Sequence, residues 1–363
     1  MCAQESNDNN ISSQTDAYYK EQAHQEEICL EEIKDDLHMI LESDDPAQPQ
    51  SESPNQQRAY TAETRPPVHH NAKTCGPDDG LAAFTEVRPR LFGIAYRMLG
   101  SAAEAEDIVQ DVWLRWQATD RSVVENPPAF LTTTTTRMCI NFAQSARSRR
   151  EIYVGPWLPE PVDTSHDPAL GAERGEALGL AILLLLENLT PTERAAYVLR
   201  EAFDYSHREI ADILQIEEAN ARQLVSRARK HIATGRRMPV SSDEQLRLLE
   251  AFIAAAQKGD IAVLENLFAE DVVSYSDGGG LVRAATFPVA GRERVANFIA
   301  AFASHFWTGV ALAWVETNGQ ASILMSRDGI PVALVTIGTS AQGIDQIMWI
   351  MRPSKLAAID RRG

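Results

Sequence analysis

A basic helix predicted over residues 218–233 carries the side chains with the clearest chemistry in this sequence. No acidic residue lies between Ala219 and Ala233, and an apolar stripe would hold one side of the helix in a core. Arginine and glutamine side chains can hydrogen-bond to base edges in the DNA major groove, while lysine and serine suit phosphate. The predicted DNA-reading side chains are Arg222, Gln223, Ser226, Arg227, Arg229 and Lys230. A solvated basic face is the alternative interpretation.

The residues that precede this helix predict the element that would position it. Ser206 to Glu209 reads as a capping box that starts a short helix ending near Leu214, and a three-residue turn follows. A similar box from Thr190 to Glu193, with proline at its second position, starts an earlier helix ending near Phe203. Two helices joined by a tight turn, the second of them basic, are typical of a helix-turn-helix.

A second basic segment spans residues 129–150. Two prolines precede a threonine-rich helix predicted over residues 130–144, and the segment contains no acidic residue before its end. A local basic stripe in an acidic protein indicates contact with phosphate. The arginines of this segment are Arg137, Arg147, Arg149 and Arg150.

An acidic helix is predicted to begin at the capping box formed by Ser101 and Glu104 and to end near Gln117. Apolar residues recur at helical spacing along one side of it. The opposite side presents Glu106, Asp107, Gln110 and Asp111. From spacing alone, this stripe is either an ordinary solvated surface or a surface that binds a partner.

Charge is distributed unevenly along the 363 residues, whose formal net charge is -17. Residues 1–80 hold 17 acidic and 5 basic side chains and are rich in polar residues and proline, so we expect them to be mostly disordered. A short amphipathic helix is predicted over residues 26–41. It is either a marginal surface helix or a docking helix for a partner or for the protein's own basic surface. The remaining length predicts about two globular domains.

Several classes of protein are disfavoured by the composition. No apolar run approaches the roughly 20 residues of a membrane-spanning helix, and the N-terminus lacks the pattern of a secretory signal, so a cytoplasmic protein is predicted. The four cysteines are isolated and the eight histidines show no His-x-x-x-His spacing. A disulfide framework and a structural zinc site are therefore not expected. No cofactor is predicted either.

The C-terminal third of the chain predicts an α+β domain. Helices are expected near residues 244–258, 261–268 and 291–306, followed by four strands whose connections contain Asn-Gly, Asp-Gly and Gln-Gly. Such dipeptides are typical of hairpins, which predicts a curled antiparallel sheet with helices on one face. His305 is expected to be a core histidine, and Asp277 precedes three glycines that suggest close approach to another surface.

Several segments resemble a known family in order and spacing. The segments 91–100, 105–113 and 189–194, followed by 205–232, resemble regions 2 and 4 of bacterial sigma factors of the extracytoplasmic-function (ECF) type. Residues 153–162 and the Asp277-Gly278-Gly279-Gly280 loop are similar to the ECF subgroup with a fused C-terminal SnoaL-like domain. The resemblance covers about residues 81–356. It departs from the family pattern at Gln215, where a glycine is frequent in the turn, and at Asn141, where aspartate is usual.

This resemblance implies a multidomain fold: an all-α region 2 helical bundle, an all-α region 4 helix-turn-helix, and an α+β SnoaL-like cone with a curled antiparallel sheet. The expected boundaries are an acidic extension over 1–80, region 2 over 81–150, a linker over 151–180, region 4 over 181–237 and the SnoaL-like regulatory domain over 243–356.

The resemblance also implies partners and site residues. Core RNA polymerase would dock on the acidic stripe, and the -35 promoter element would contact region 4. The -10 element would contact Arg137, Asn141, Arg147, Arg149 and Arg150 of region 2. The glycine loop and the tail near residues 352–356 would contact the sigma domains and tune their activity, and no catalytic residue or metal is implied.

Two other function classes stay open from the sequence. A ligand-sensing transcription regulator would bind DNA without polymerase. A SnoaL-like enzyme fused to a DNA-binding module would use Asp277 or His305 as an acid or base in a pocket. A small-molecule ligand of the SnoaL-like pocket is likewise left open.

Overall fold

The structure is a computed structural model that describes residues 79–151, 153–164, 179–235 and 240–360. The amphipathic helix predicted over residues 26–41 lies outside the described residues, as does part of the linker, residues 165–178. Within the described part of the chain, no helix is both long and apolar enough to cross a membrane.

The first helical region contains three long helices: α1 (Asp79–Leu99), α2 (Ala102–Ala118) and α3 (Pro127–Glu151). Their apolar faces share a core. The predicted cap of α2 is confirmed at Ser101, whose Oγ accepts a hydrogen bond from the Glu104 N–H at 3.3 Å. Helix α3 begins three residues earlier than predicted, because the Asn126 side chain accepts from the Ala129 N–H and proline suits a first-turn position that lacks a donor.

The second helical region contains the predicted helix-turn-helix. Its helices are α4 (Leu180–Leu186), α5 (Pro191–Phe203), α6 (His207–Leu214) and α7 (Glu218–Gly235). Both predicted capping boxes are present, at the starts of α5 and α6. Gln215 ends α6 in the left-handed conformation, with φ of 56° and ψ of 51°. A non-glycine residue therefore adopts the strained backbone that the turn requires.

The C-terminal domain follows with helices and a six-stranded sheet. Helices α8 (Ser242–Lys258), α9 (Ile261–Leu267) and α10 (Arg292–Phe306) precede most of the strands, and α11 (Pro353–Asp360) follows them. The strands are β1 (Phe268–Asp277), β2 (Val289–Ala290), β3 (Val310–Thr317), β4 (Gln320–Arg327), β5 (Ile330–Ser340) and β6 (Gly343–Ile350). Their order across the sheet is β2-β1-β6-β5-β4-β3.

The antiparallel prediction is correct for β3 to β6 and wrong for the sheet as a whole. The hairpins predicted at Asn318-Gly319 and Asp328-Gly329 are formed, with positive φ at all four residues. Strand β1, however, pairs with β6 in parallel, so the sheet is mixed. Hairpin signals fix pairing only between strands adjacent in sequence, whereas β1 meets β6 after the chain has passed through β2, α10 and three further strands.

Both faces of this sheet are covered. On one face, residues such as Ile323, Val335 and Trp349 pack with α8, α9 and α10. On the other, residues such as Leu334 and Met348 belong to a second apolar cluster that also contains α11 and the two helical regions. The last eight residues of β5 are consequently all buried, instead of alternating between core and solvent.

Candidate nucleic-acid interface and interdomain junction

Helix α7 presents its predicted polar side chains to solvent. Ala221, Val225, Ala228 and Ile232 anchor the helix in the core, and each is at most 3% exposed. The opposite sides are exposed at every predicted position: Arg222, Gln223, Ser226, Arg227, Arg229 and Lys230. The burial pattern thus orients these six side chains outward, as a duplex-reading helix requires.

Acidic side chains of α5 reach this basic surface, which the local sequence of α7 did not indicate. Arg229 Nη2 lies 2.7 Å from Glu201 Oε1, and Arg227 Nε lies 3.5 Å from Glu193 Oε1. Burial raises the pKa of Glu193, but hydrogen bonds from Thr190 and the charge of Arg227 outweigh it and lower that pKa overall. The Arg229–Glu201 pair, whose side chains are 53% and 30% exposed, contributes at most about 1 kcal/mol, so Arg229 can exchange carboxylate for phosphate.

A recess between α6 and α7 adds one residue to the surface. His207, the first residue of α6, lines it together with Arg222, Ser226, Arg229 and Lys230. Sequence reasoning missed His207. No local signal marked it, because the approach of His207 to α7 depends on how α6 and α7 pack.

The acidic stripe of α2 is exposed at all four predicted positions: Glu106, Asp107, Gln110 and Asp111. Glu106 Oε2 accepts from Arg88 Nη2 at 2.6 Å, and both side chains are about half exposed. Leu114 lies on the same side of the helix and is 54% exposed. The stripe is therefore a mixed acidic and apolar surface in contact with solvent.

The predicted DNA contacts of α3 are in different environments. Asn141 is exposed, whereas Arg137 is half-buried and its Nε donates to the Ile213 carbonyl of α6 at 3.1 Å. The side chains of Arg147, Arg149 and Arg150 are not among those that the structure describes. Of the other two residues, Asn141 is exposed to solvent and Arg137 is bonded to the neighbouring helical region.

The two helical regions pack directly on each other. Arg194 of α5 is buried, and its Nη1 donates both to the Met98 carbonyl and to Glu187 Oε1 at 2.7 Å. The guanidinium of Arg97 lies 5.3 Å from the centre of the Phe203 ring. With the Arg137 contact, these interactions join α1 and α3 to α5 and α6 in a closed arrangement.

Residues 153–164 form a packed strap between the helical regions and the C-terminal domain, which the prediction of a linker with little regular structure did not anticipate. The strap has no helix and pairs only through an isolated bridge between Asp163 and Thr317. Leu158 is nevertheless fully buried, and Glu160 and Thr164 are each less than 10% exposed. The strap is therefore part of the core of the protein.

Asp277 lies where the strap meets the C-terminal domain, and it is fully buried. Its Oδ1 accepts from the Tyr153 hydroxyl at 2.5 Å, and its Oδ2 accepts from the Leu158 N–H at 2.9 Å and from Lys355 Nζ at 2.6 Å. Lys355 also donates to the Leu158 carbonyl and lies 4.5 Å from the Trp157 ring centre. Burial lowers the pKa of Lys355, and the charge of Asp277 opposes that shift.

The glycines after Asp277 form the turn that admits the strap. Gly279 has a φ of 58°, and a Cβ atom there would lie 2.7 Å from the Tyr153 hydroxyl oxygen. At Gly280 a Cβ atom would lie 3.2 Å from the side chain of Val154, and at Gly278 one would collide with the Val282 carbonyl. The glycines thus provide the close approach that the sequence suggested.

A second contact joins the β3–β4 turn to α1. Asn318 Nδ2 donates to the Tyr96 hydroxyl at 2.7 Å, while Asn318 Oδ1 accepts from the Val162 N–H at 2.9 Å. Tyr96 and Asn318 are both 1% exposed. Sequence reasoning read Asn318 only as a hairpin residue, because a contact between residues 96 and 318 has no local signal.

His305 is exposed on α10, and its Nδ1 lies 2.8 Å from Ser304 Oγ. The expectation of a core histidine was therefore wrong, because the apolar stripe of α10 that faces the core runs through Val295, Ala296 and Ile299 instead. A cleft of about 550 Å³ opens between α8 and β3, but neither Asp277 nor His305 lines it. The two candidate acid-base residues do not converge on that cleft.

Comparisons with known proteins agree with this architecture. Residues 83–149 match the family model for sigma-70 region 2, and residues 179–232 match the model for sigma-70 region 4. The chain is similar to the ECF RNA polymerase sigma factor SigJ of Mycobacterium tuberculosis, with 36% identity over 63% of this chain and 75% of the relative. It is also similar to the probable ECF sigma factor SigI of the same organism, with 29% identity over 77% of this chain and 95% of the relative.

A solved structure extends the similarity to the fold. The crystal structure of Mycobacterium tuberculosis SigJ matches with a TM-score of 0.62 and 30% identity, over 77% of this chain and 98% of that one. Two matched regions in the order expected for an initiation factor, together with relatives of this coverage, establish the family. The chain belongs to the ECF RNA polymerase sigma factors, which bind core RNA polymerase and direct it to start transcription at particular promoters.

Proposed function

We propose that this sigma factor divides promoter-specific initiation among three surfaces. The exposed stripe of α2 binds core RNA polymerase, the polar face of α7 reads the -35 duplex, and α3 captures the -10 element. The observation that carries this proposal is that α2 and α7 each bury one apolar side and expose every predicted functional residue on the other.

The chemistry of each surface suits its assigned partner. Helix α7 combines arginine and glutamine for base edges with lysine and serine for phosphates. Asn141 suits single-stranded DNA because its amide can hydrogen-bond an unstacked base, while neighbouring arginines of α3 follow phosphates. Arg137 contacts the -10 element only after region 4 has moved away, because in the closed arrangement its guanidinium donates a hydrogen bond to the Ile213 carbonyl of region 4.

We further propose that the C-terminal domain is a SnoaL-like cone and acts as a built-in regulator. Support comes from its α+β architecture and from the burial of Asp277, Lys355 and Asn318 against the strap and α1. Regions 2 and 4 must separate to reach two promoter elements that lie apart along the DNA. The C-terminal domain is anchored to the strap between regions 2 and 4, and it therefore controls how readily these two regions separate.

The assignment of surfaces is tested by footprinting the polymerase holoenzyme on one of its promoters. Arg222→Ala and Gln223→Ala are expected to weaken protection of the -35 element while leaving -10 strand opening detectable at raised protein concentration. Asn141→Ala is expected to reduce strand opening with the -35 footprint retained. Arg247→Ala, at an exposed arginine of α8 in the C-terminal domain, serves as the matched control. If the α7 variants protected the -35 element normally, that helix would not be the reader.

A further inference from the structure

The start of the polymerase-binding helix α2 is held by a residue from the strap. Glu160 Oε2 accepts hydrogen bonds from the Ser101 hydroxyl at 2.9 Å, the Ala102 N–H at 2.9 Å and the Ala103 N–H at 3.3 Å. The first N–H groups of a helix have no partner within it, and the helix dipole favours a negative charge at that end. Glu160 therefore supplies, from 57 to 59 residues away, the anion that this helix terminus requires.

The backbone of Glu160 is fixed on the same region. Its N–H donates to the Gly100 carbonyl at 2.7 Å, and its carbonyl accepts from the Tyr96 hydroxyl at 2.6 Å. Glu160 is 8% exposed and Tyr96 is 1% exposed. The carboxylate is thus aimed at α2 by two bonds to the end of α1.

The β3–β4 turn of the C-terminal domain completes this network. The direction of each hydrogen bond in it, from donor to acceptor, is fixed. Asn318 Oδ1 is occupied by the Val162 N–H, so the amide nitrogen of Asn318 must face the Tyr96 oxygen. Since Tyr96 accepts from Asn318, its own proton is available for the Glu160 carbonyl. The Asn318 N–H also donates to the Val162 carbonyl at 2.9 Å.

We propose that Glu160 is a positioning residue for polymerase binding. Through Tyr96 and Glu160, the Asn318 turn of the C-terminal domain fixes the first turn of α2. Glu106 and Asp107 lie only about one and a half helical turns from Ser101, so the order of that first turn sets how they are presented. This inference rests on the proposed function, in which the α2 stripe binds the polymerase.

The test measures the dissociation constant between the full-length chain and core RNA polymerase. Glu160→Ala is expected to weaken binding about three- to tenfold, the range that the loss of a charge-assisted cap predicts. Glu160→Gln is expected to recover part of that loss, because its amide oxygen still accepts from the first turn. A residue that acted only on overall stability would lower the melting temperature without this graded recovery of affinity.

The route through the C-terminal domain has its own variants. Asn318→Asp keeps an oxygen for the Val162 N–H but presents a second acceptor to Tyr96, whose single proton is used by Glu160. It is expected to weaken polymerase binding about two- to fivefold, with no further loss in the double variant with Glu160→Ala. Asp328→Asn, in the exposed β4–β5 turn, is the matched control and is expected to bind like the unmodified chain.

Three results would overturn the inference. The first is that Glu160→Ala and Glu160→Gln both bind polymerase as the unmodified chain does. The second is that Asn318→Asp and Glu160→Ala weaken binding additively. The third is that Asp328→Asn weakens binding as much as Asn318→Asp. The proposed function is judged separately with Asp107→Lys and Asp111→Lys. If those variants bound normally, the assignment of the α2 stripe would fail, whatever the result at Glu160. Folding of each variant is verified by circular dichroism.

Discussion

Neutralising Asp277 is expected to destabilise the junction between the strap and the C-terminal domain strongly. Asp277→Asn keeps the size of the side chain but removes the charge that faces Lys355 at 2.6 Å. The carboxylate accepts from three donors, including Tyr153 and Leu158, whereas an asparagine offers a single acceptor oxygen and a nitrogen that itself donates. At least one donor then loses its partner inside the core.

The magnitude follows from the burial of the pair. The Asp277 side chain is 0% exposed and the Lys355 side chain is 10% exposed, so solvent screens this pair little. Breaking a buried pair from one side costs about 3–5 kcal/mol. Lys355→Met also breaks the pair from one side, but Tyr153 and Leu158 still donate to the Asp277 carboxylate, so its cost should lie at the lower end of that range, about 3 kcal/mol. The double variant removes both charges, so its loss of unfolding free energy should be about 2 kcal/mol smaller than the sum of the two single-variant losses.

Urea unfolding of the full-length chain, followed by tryptophan fluorescence, measures these free energies because Trp157 lies against Lys355. The deficit of Asp277→Asn should shrink as pH rises toward 10.5, the ordinary pKa of lysine. Burial lowers the pKa of Lys355 and the charge of Asp277 opposes that shift, so removing the charge lowers this pKa further. The folded variant then binds fewer protons than its unfolded state over a wider pH range, and it gains more stability with rising pH than the unmodified chain does. Lys258→Met, at an exposed lysine, is the control. Losses below about 0.5 kcal/mol for both single variants, or strict additivity, would refute the reasoning.

Three further predictions concern other described residues. Burial and the hydrogen bond to Asp277 raise the pKa of Tyr153 from 10.0 to about 12, so stability present below pH 10 should be lost as pH rises through that window. Urea unfolding should show that the free energy of unfolding of Tyr153→Phe falls less steeply with pH than that of the unmodified chain. Equal slopes for the two chains would contradict this origin. Gln215→Gly should stabilise the turn by about 0.5–1 kcal/mol, since it relieves a left-handed backbone; an unchanged melting temperature would argue against strain. Glu201→Gln should free Arg229 and tighten duplex binding about two- to threefold at low salt, measured by fluorescence anisotropy, and unchanged affinity would show that the pair does not compete with DNA.

Local patterns predicted the elements and faces that depend on nearby residues. The capping boxes at Thr190 and Ser206 and the hairpin at Asn318-Gly319 each require only a few adjacent residues, and all three are formed. The outward orientation of the polar residues of α7 followed from its 3.6-residue period in the same way.

Features that depend on distant packing were not predicted. The parallel pairing of β1 with β6, the anion that Glu160 supplies to α2, and the carboxylates that α5 brings to Arg227 and Arg229 all join residues far apart in sequence. His305 was misjudged because apolar neighbours in sequence do not show which side of a helix faces the core. Even the strap was predicted as a linker, because an extended proline-rich segment has no periodicity that reveals burial.

The most direct test of the central claim is run-off transcription with bacterial core RNA polymerase on a promoter library. The unmodified chain is expected to produce specific start sites. Asp107→Lys combined with Asp111→Lys should abolish them, while Glu270→Lys combined with Glu293→Lys, an equal charge change at exposed positions of the C-terminal domain, should retain them. Specific starts that persisted in the α2 variant, or tight promoter binding by the chain without polymerase and no starts with it, would contradict the account.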